Sequence, residues 1–234
     1  MRTVSYSREL EVRGSYDILV AGSGPAGICA AVAAAREGAR VALIERYGVV
    51  GGNLTTGYVG PILGMVGKGT MRDELVELLG VPENDMIGET GRAHDFEMAK
   101  IRLMQFVNHP NIDVYLQTTV TDVIKEGDTL KGIIATSGEG QFALLGKVTI
   151  DATGDGIVSY LAGATTEKGR EDGLMQPVTL EFTIDGWVVI YHICHRIDQF
   201  NRKFRNLVSR CRFRTKNKGS WIERHFRMLF NLIV

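Results

Sequence analysis

The sequence predicts an α/β fold in which a parallel sheet carries a small antiparallel β-meander. Three observations point to it. A short apolar run, Tyr16 to Ala21, enters a glycine turn, continues into an alanine-rich stretch and leaves through a second apolar run, Arg40 to Glu45. That is the strand, turn, helix, strand unit of a parallel sheet buried on both faces. Farther on, residues alternate in character around the turns EGD and SGEG, the two-residue period of antiparallel strands. Finally, no apolar run approaches the eighteen or so residues of a membrane helix, and 44% hydrophobic with 23% charged residues is the composition of a globular chain.

The elements follow in order. Residues 25–37 read as the first helix: Pro25 stands where the missing N–H is tolerated, the alanines give high helix propensity, and Gly38 stands where a left-handed residue ends a helix. Residues 48–69, GVVGGNLTTGYVGPILGMVGKG, hold eight glycines and one proline, too long and too glycine-rich for a plain linker. Helical patterns resume at roughly 70–80 and 95–109, where Met98, Ile101, Leu103, Met104 and Phe106 are expected to face the core. Val114 to Leu116 is a further strand, the meander follows, and KVTIDAT is expected as a buried strand ending in a second glycine turn. A helix should then run from about Gly156 to Ala162, with Asp155 at its start, and PVTLEFTID, residues 177–185, begins something new.

Charge divides the chain. Residues 1–186 hold 16 Lys and Arg against 25 Asp and Glu, whereas residues 187–234 hold 11 against 2 and only one of the 28 glycines. The acidic first segment is expected to bind no nucleic acid. The N-terminus has no apolar stretch of the kind a secretory signal needs, and Cys29, Cys194 and Cys211 make neither a C-x-x-C pair nor a disulfide framework, which suits a reducing, cytoplasmic setting.

GSGPAG, Gly22 to Gly27, carries the first chemistry. Gly22 permits the tight turn, Gly24 lets the backbone approach a pyrophosphate, and Gly27 lets the helix pack close to the strand, with Ala31 and Ala35 extending that small-residue face. The helix N-terminus presents N–H groups and a positive dipole to an anion. Glu45 closes the second strand 21 residues after Gly24, where a carboxylate accepts hydrogen bonds from a ribose hydroxyl. These features together form a dinucleotide-binding fingerprint. A simple NAD domain would continue with another helix and strand. Here the chain enters GVVGGNLTTG, in which Gly51 and Gly52 allow close approach and Asn53, Thr55 and Thr56 offer neutral hydrogen-bond partners, and this suits the longer FAD.

Four motifs in order, YDILVAGSGPAG, ERYGVVGGNLTTGYVG, IDATGDG and LMQPVTLEF, resemble the FAD-dependent oxidoreductase family related to the fumarate reductase and succinate dehydrogenase flavoproteins and to the flavin subunits of heterodisulfide reductases. The resemblance spans about residues 14–186. It implies a Rossmann-like FAD-binding domain at 16–176 behind an N-terminal extension at 1–15. The first strand of a substrate domain would follow at 177–186, where this chain then breaks from the family pattern. It also implies that Gly22, Ser23, Gly24, Pro25, Ala26 and Gly27 surround the FAD pyrophosphate, that Glu45 holds the adenosine ribose with Arg46 beside it, and that Gly52 and Asn53 approach the ribityl and isoalloxazine end. By the same resemblance the backbone of Val120 meets adenine, and Ala152, Thr153, Gly154 and Asp155 form a second contacting turn with Asp155 near the ribityl chain or a phosphate.

Relatives that bind flavin covalently use a histidine near the second glycine loop. None stands among Asn53 and its neighbours, so the FAD is expected to be noncovalent. Some relatives hold an iron–sulfur cluster, which three dispersed cysteines cannot supply. No catalytic acid, base or nucleophile stands out: His94 reads as a surface or capping residue, and the flavin supplies the electron chemistry for an unidentified small-molecule substrate and electron acceptor.

Three readings stand for residues 187–234: metal ligation by His192, Cys194 and His195; a basic amphipathic helix on Phe200, Phe204, Leu207 and Val208 for an anionic partner; and the product of a shifted reading frame, which the abrupt change of composition favours. No metal site is expected. The alternatives to a flavin-dependent oxidoreductase, incomplete in this chain, are an NAD-dependent dehydrogenase domain and a noncatalytic binding protein acting through the tail.

Overall fold

β1 (Val12–Ala21), α1 (Pro25–Arg36) and β2 (Val41–Ile44) form the parallel unit that the apolar runs predict. β1 begins four residues before the expected start at Tyr16, because Val12 to Ser15 pair with Ala143 to Leu145. The structure, a computed structural model, describes residues 3–5, 7–60, 62, 69–80 and 94–175. The expected strand at 177–186 and the tail readings lie outside the described residues. The chain divides into two units, Met1–Lys168 and Gly169–Val234. Within the second, Arg170 and Gly173 close a turn in which the N–H of Gly173 donates to Arg170 O (2.8 Å).

In the first unit, α2 (Met71–Leu79) and α3 (Phe96–Phe106) precede β3 (Ile112–Tyr115), β4 (Thr119–Glu126), β5 (Thr129–Ser137), β6 (Gly140–Asp151) and the short α4 (Ile157–Leu161). The six strands make one sheet in the order β3-β2-β1-β6-β5-β4. β3, β2, β1 and β6 run parallel, and β6, β5 and β4 antiparallel.

Both faces of the parallel part are covered, which is why β1 and β2 read as unbroken apolar runs. On one face Val20, Val41 and Leu43 pack with Ile28, Ala31, Val32 and Ala35 of α1, Leu75 and Leu79 of α2, and Ala99 and Leu103 of α3. On the other, Leu19, Ala42 and Ile44 pack with Ile133, Ala135, Phe142 and Leu144 of the meander. Each large apolar side chain so buried contributes roughly 1.5–3 kcal/mol.

α1 starts on Pro25 and ends one residue short of the expected limit, with Gly38 left-handed at φ +89° and the N–H of Ala39 reaching Ala34 O (3.1 Å). α3 departs further from expectation. Leu103, Met104 and Phe106 of this helix pack against the core as expected, with Ala99 and Val107, while Met98 and Ile101 are exposed. Its apolar spacing therefore marks two faces, of which one is core.

β6 also corrects an expectation. KVTIDAT is not a separate strand but the end of one 12-residue strand, which pairs antiparallel with β5 through Leu145 and parallel with β1 as far as Asp151. Nor is it wholly buried, since Val148 is 55% exposed.

Candidate functional site

The three glycine-bearing turns meet at the carboxyl ends of β1, β2 and β6. Chain reversal at the end of β1 is fixed by Gly22, whose N–H donates to Ile44 O (2.8 Å) and whose φ of +92° suits only glycine. A Cβ there would overlap the carbonyl of Ala152, and one at Gly27 would overlap the carbonyl of Gly22. Internal packing thus accounts for the first and third glycines of GSGPAG. Gly24 is different: its backbone, φ −62° and ψ −179°, is open to any residue, and a Cβ would meet no atom within 4 Å. Nothing inside the protein requires glycine at this position, and the space beside it is where a ligand would approach.

Gly24 is the N-cap of α1 and caps nothing through a side chain, and the first turn holds no acidic residue. Pro25 lacks an N–H, and the Ile28 N–H is taken by Gly24 O (3.0 Å). The first turn of this 12-residue helix thus carries neither a side-chain cap nor an acidic residue, which leaves its positive end open to a phosphate.

Glu45 is buried behind this turn at 5% exposure. Its Oε2 accepts from the N–H (2.9 Å) and the hydroxyl (2.5 Å) of Ser23, and its Oε1 from the N–H of Tyr47 (2.8 Å). These donors compensate the buried charge without a cation. Ser23 is therefore committed within the protein: its carbonyl also accepts from the Gly51 N–H (2.8 Å). With two donors on Oε2 and one on Oε1, the carboxylate retains one acceptor position, on Oε1, since each oxygen accepts about two hydrogen bonds. Arg46 is exposed, its guanidinium 4.8 Å from the centre of the Tyr47 ring. The link between β3 and β4 runs alongside, with the Thr118 N–H on Glu45 O and the Gln117 N–H on Tyr47 O (both 2.9 Å), and it leads two residues on to Val120, paired with Ala135.

The second glycine loop lies against the first. Gly51, at φ +111°, enters a 3-10 turn, Gly52–Leu54, and a Cβ on Gly52 would sit 3.0 Å from Gly24 Cα. The loop then closes on itself, with the Gly57 N–H on Gly52 O (3.1 Å) and the Val59 N–H on Asn53 O (2.8 Å). Thr55 and Thr56 do not turn outward as neutral ligand donors. Thr55 is buried with Oγ1 on Val50 O (2.9 Å), and Thr56 Oγ1 donates to Gly52 O (3.1 Å), so both brace the loop. Asn53 is exposed.

His94 is neither a surface residue nor a cap. It is 5% exposed, with Nε2 2.7 Å from Leu54 O and Nδ1 3.2 Å from Gly60 O, while Asp95 caps α3 by accepting from Glu97 and Met98. Sequence reasoning missed this because the partners are backbone carbonyls 34 and 40 residues away.

The third turn follows β6, where the Ala152 N–H donates to Ala21 O (2.8 Å). Its organiser is Asp151, which the sequence did not single out. One carboxylate oxygen accepts from the Thr153 N–H and hydroxyl (3.2 and 2.7 Å), the other from the Ser159 N–H and hydroxyl (both 2.8 Å). Burial works to raise the Asp151 pKa, but these donors outweigh it and hold the carboxyl below its ordinary value. The available signal was an Asp two residues before a Thr, the pattern of a local side-chain turn. The expected role of Asp155 at the helix start does not hold: Gly156 is the N-cap of α4, Thr153 Oγ1 accepts from the Ile157 N–H (3.0 Å), and Asp155 is exposed.

The family model described as FAD dependent oxidoreductase matches residues 17–232. The chain belongs to the FAD-dependent oxidoreductase family. FAD is accordingly the cofactor of its family, and the matched span continues past residue 186 through most of the basic tail.

Among curated relatives of this flavoprotein, a soluble pyridine nucleotide transhydrogenase of Marinomonas sp. (strain MWYL1) is 36% identical over 86 residues, which are 37% of this chain and 17% of the relative. One from Mycobacterium bovis (strain BCG / Pasteur 1173P2) is 35% identical over 80 residues, 34% of this chain and 16% of the relative. The chain thus matches under a fifth of the length of these relatives. Among solved structures, THI4 of Thermovibrio ammonificans aligns with a TM-score of 0.49 at 21% identity over 73% of this chain and 67% of its own.

Among the described residues no group of three or more His, Cys, Asp or Glu could hold a metal, and no helix is long and apolar enough to cross a membrane.

Proposed function

We propose that the protein holds FAD noncovalently across the carboxyl ends of β1, β2 and β6, as the nucleotide-binding part of a flavin-dependent oxidoreductase. The observation that carries this is Gly24, a glycine that no internal packing requires, at the N-terminus of α1, whose first turn has no side-chain cap and no acidic residue, and beside Gly52. The pyrophosphate would lie over Gly22 to Gly27, meeting backbone N–H groups of Ala26 and Gly27. The remaining acceptor position of Glu45, on Oε1, would accept a ribose hydroxyl, the backbone at Val120 would meet adenine, and Gly52 with Asn53 would border the ribityl and isoalloxazine end. Thr153, Gly154 and Asp155 would border it from the β6 side. Noncovalent attachment is supported by His94, whose two ring nitrogens both face backbone carbonyls.

The flavin, when bound, would carry the hydride or electron transfer, and this chain's residues would bind and orient it. In this proposal a substrate domain begins at 177–186, and the protein works in the cytoplasm on a small-molecule substrate. A shifted-frame origin for residues 187–234 would show as a flavoprotein-like continuation in another frame of the coding DNA after codon 186; without one, the family match through residue 232 makes the tail a genuine segment.

The test is the visible absorbance of the purified protein, followed by titration with FAD and with NADH. A yellow preparation, or saturable binding of added FAD, is expected. A colourless protein that binds NADH and not FAD would sink the proposal.

A further inference from the structure

His94 is a buried, nitrogen-bearing side chain that the flavin site does not absorb, and it stands against the loop that borders that site. Two of the loop's carbonyls, six residues apart, face its ring: Leu54 O at 2.7 Å from Nε2 and Gly60 O at 3.2 Å from Nδ1. Carbonyl oxygens only accept, so each ring nitrogen that carries a hydrogen donates it to the carbonyl it faces. Leu54 ends the 3-10 turn that begins at Gly52, and Gly60 is the far end of the segment closed by the Gly57 and Val59 N–H groups. His94 therefore spans the base of a closed loop whose tip, Gly51 and Gly52, rests on Ser23 and Gly24.

Edge-on and tilted ring contacts hold the histidine from the side. Phe96 lies 4.9 Å from the His94 ring and 4.9 Å from the ring of Tyr58, which belongs to the same loop. Tyr58 has φ +53°, a left-handed backbone that a bulky residue adopts only when its surroundings impose it. Asp95 and the start of α3 anchor the other side, since Asp95 accepts from the Glu97 and Met98 N–H groups. The path of contact thus runs from α3 through His94 to the loop base, and from the loop tip to the phosphate turn.

We propose that His94 is a positioning residue for the cofactor: it holds the Gly51–Gly60 loop against the Gly22–Gly27 turn, so FAD affinity depends on a side chain that does not touch FAD. The inference rests on the flavin-binding reading above. Its ligand is FAD, and its mechanism is loss of loop freedom before binding.

The test compares wild type with His94→Phe, which keeps the ring but has no donor, and His94→Gln, which keeps one. FAD affinity is read from quenching of flavin fluorescence, and loop order from amide hydrogen exchange at Gly57 and Val59. His94→Phe is expected to lower FAD affinity about tenfold, and His94→Gln about threefold, as loss of one or part of one buried hydrogen bond predicts. Exchange at Gly57 and Val59 should rise in the same order while the amides of β1 and β2 stay protected. Wild-type affinity in a folded His94→Phe protein overturns the inference. Should that variant lose protection in β1 and β2, His94→Gln decides: weakened affinity in an intact sheet supports the role, and wild-type affinity contradicts it. Loss of the sheet in both variants would make His94 a general core residue and overturn it equally. If wild type binds no FAD, the flavin site fails first, a result distinct from any difference between variants.

Discussion

The turns after β1 and β6 sit side by side at the ends of neighbouring parallel strands, and both lead into a helix, yet they treat their backbone donors in opposite ways. After β1 the glycines are fixed by backbone packing and Ser23 is bound to Glu45, but the first turn of α1 has no side-chain cap and no acidic residue of its own. After β6 the turn is filled by its own side chains: Asp151 accepts four hydrogen bonds from Thr153 and Ser159, and Thr153 takes the Ile157 N–H at the start of the short α4. The first turn spends the Gly22 and Ser23 donors internally but leaves the start of α1 uncapped and open to an anion, whereas the second caps its helix with its own side chains. Glycine content alone does not separate them; what separates them is which N–H groups remain without a partner.

The comparison breaks most visibly at Gly27. Because a Cβ there would overlap the Gly22 carbonyl, Gly27→Ala should cost about 3 kcal/mol or more through forced backbone movement, read as a fall in Tm by circular dichroism. An unchanged Tm would show that the close approach of α1 to the turn is not needed.

Asp151→Asn should cost about 2 kcal/mol, as for hydrogen bonds to a charged acceptor, and should free the second turn. It also carries a pH signature. With the folded pKa of Asp151 below its unfolded value, the unfolded chain binds the extra proton, so the stabilisation is full above about pH 4 and is lost as pH falls through the folded pKa. Urea unfolding from pH 6 to pH 3 should show a shallower loss in Asp151→Asn than in wild type, and parallel curves would contradict the assignment.

The smallest stability effect belongs to Thr153→Ala, which removes the group that accepts the Ile157 N–H. It should cost about 1 kcal/mol. Denaturant midpoints would resolve it, and a cost matching that of Asp151→Asn would mean that the two side chains act as one unit.

Much of this was legible in the sequence, for physical reasons. β1, α1 and β2 were, because strands covered on both faces must be apolar throughout and because Pro25 and Gly38 mark the helix ends. The two hairpin turns were as well, at Gly127 and Gly140, both with positive φ. What escaped depends on distance along the chain. The continuity of β6 escaped because the strand loses its β5 partner beyond Leu145 while keeping β1, and Lys147 and Val148 there are exposed. Asp151 escaped because Ser159, which supplies half its donors, lies eight residues on, and the Ser23–Glu45 bond escaped because it crosses 22 residues.

The most direct measurement of the central claim is FAD titration of Gly24→Ser beside wild type. Serine suits the backbone at this position and is a better N-cap than glycine, so the fold should keep or slightly raise its Tm. The added Cβ and hydroxyl enter the space assigned to the pyrophosphate, so FAD affinity should fall at least about tenfold, the equivalent of one lost favourable contact. Wild-type FAD affinity in Gly24→Ser would contradict the placement of the cofactor over this turn.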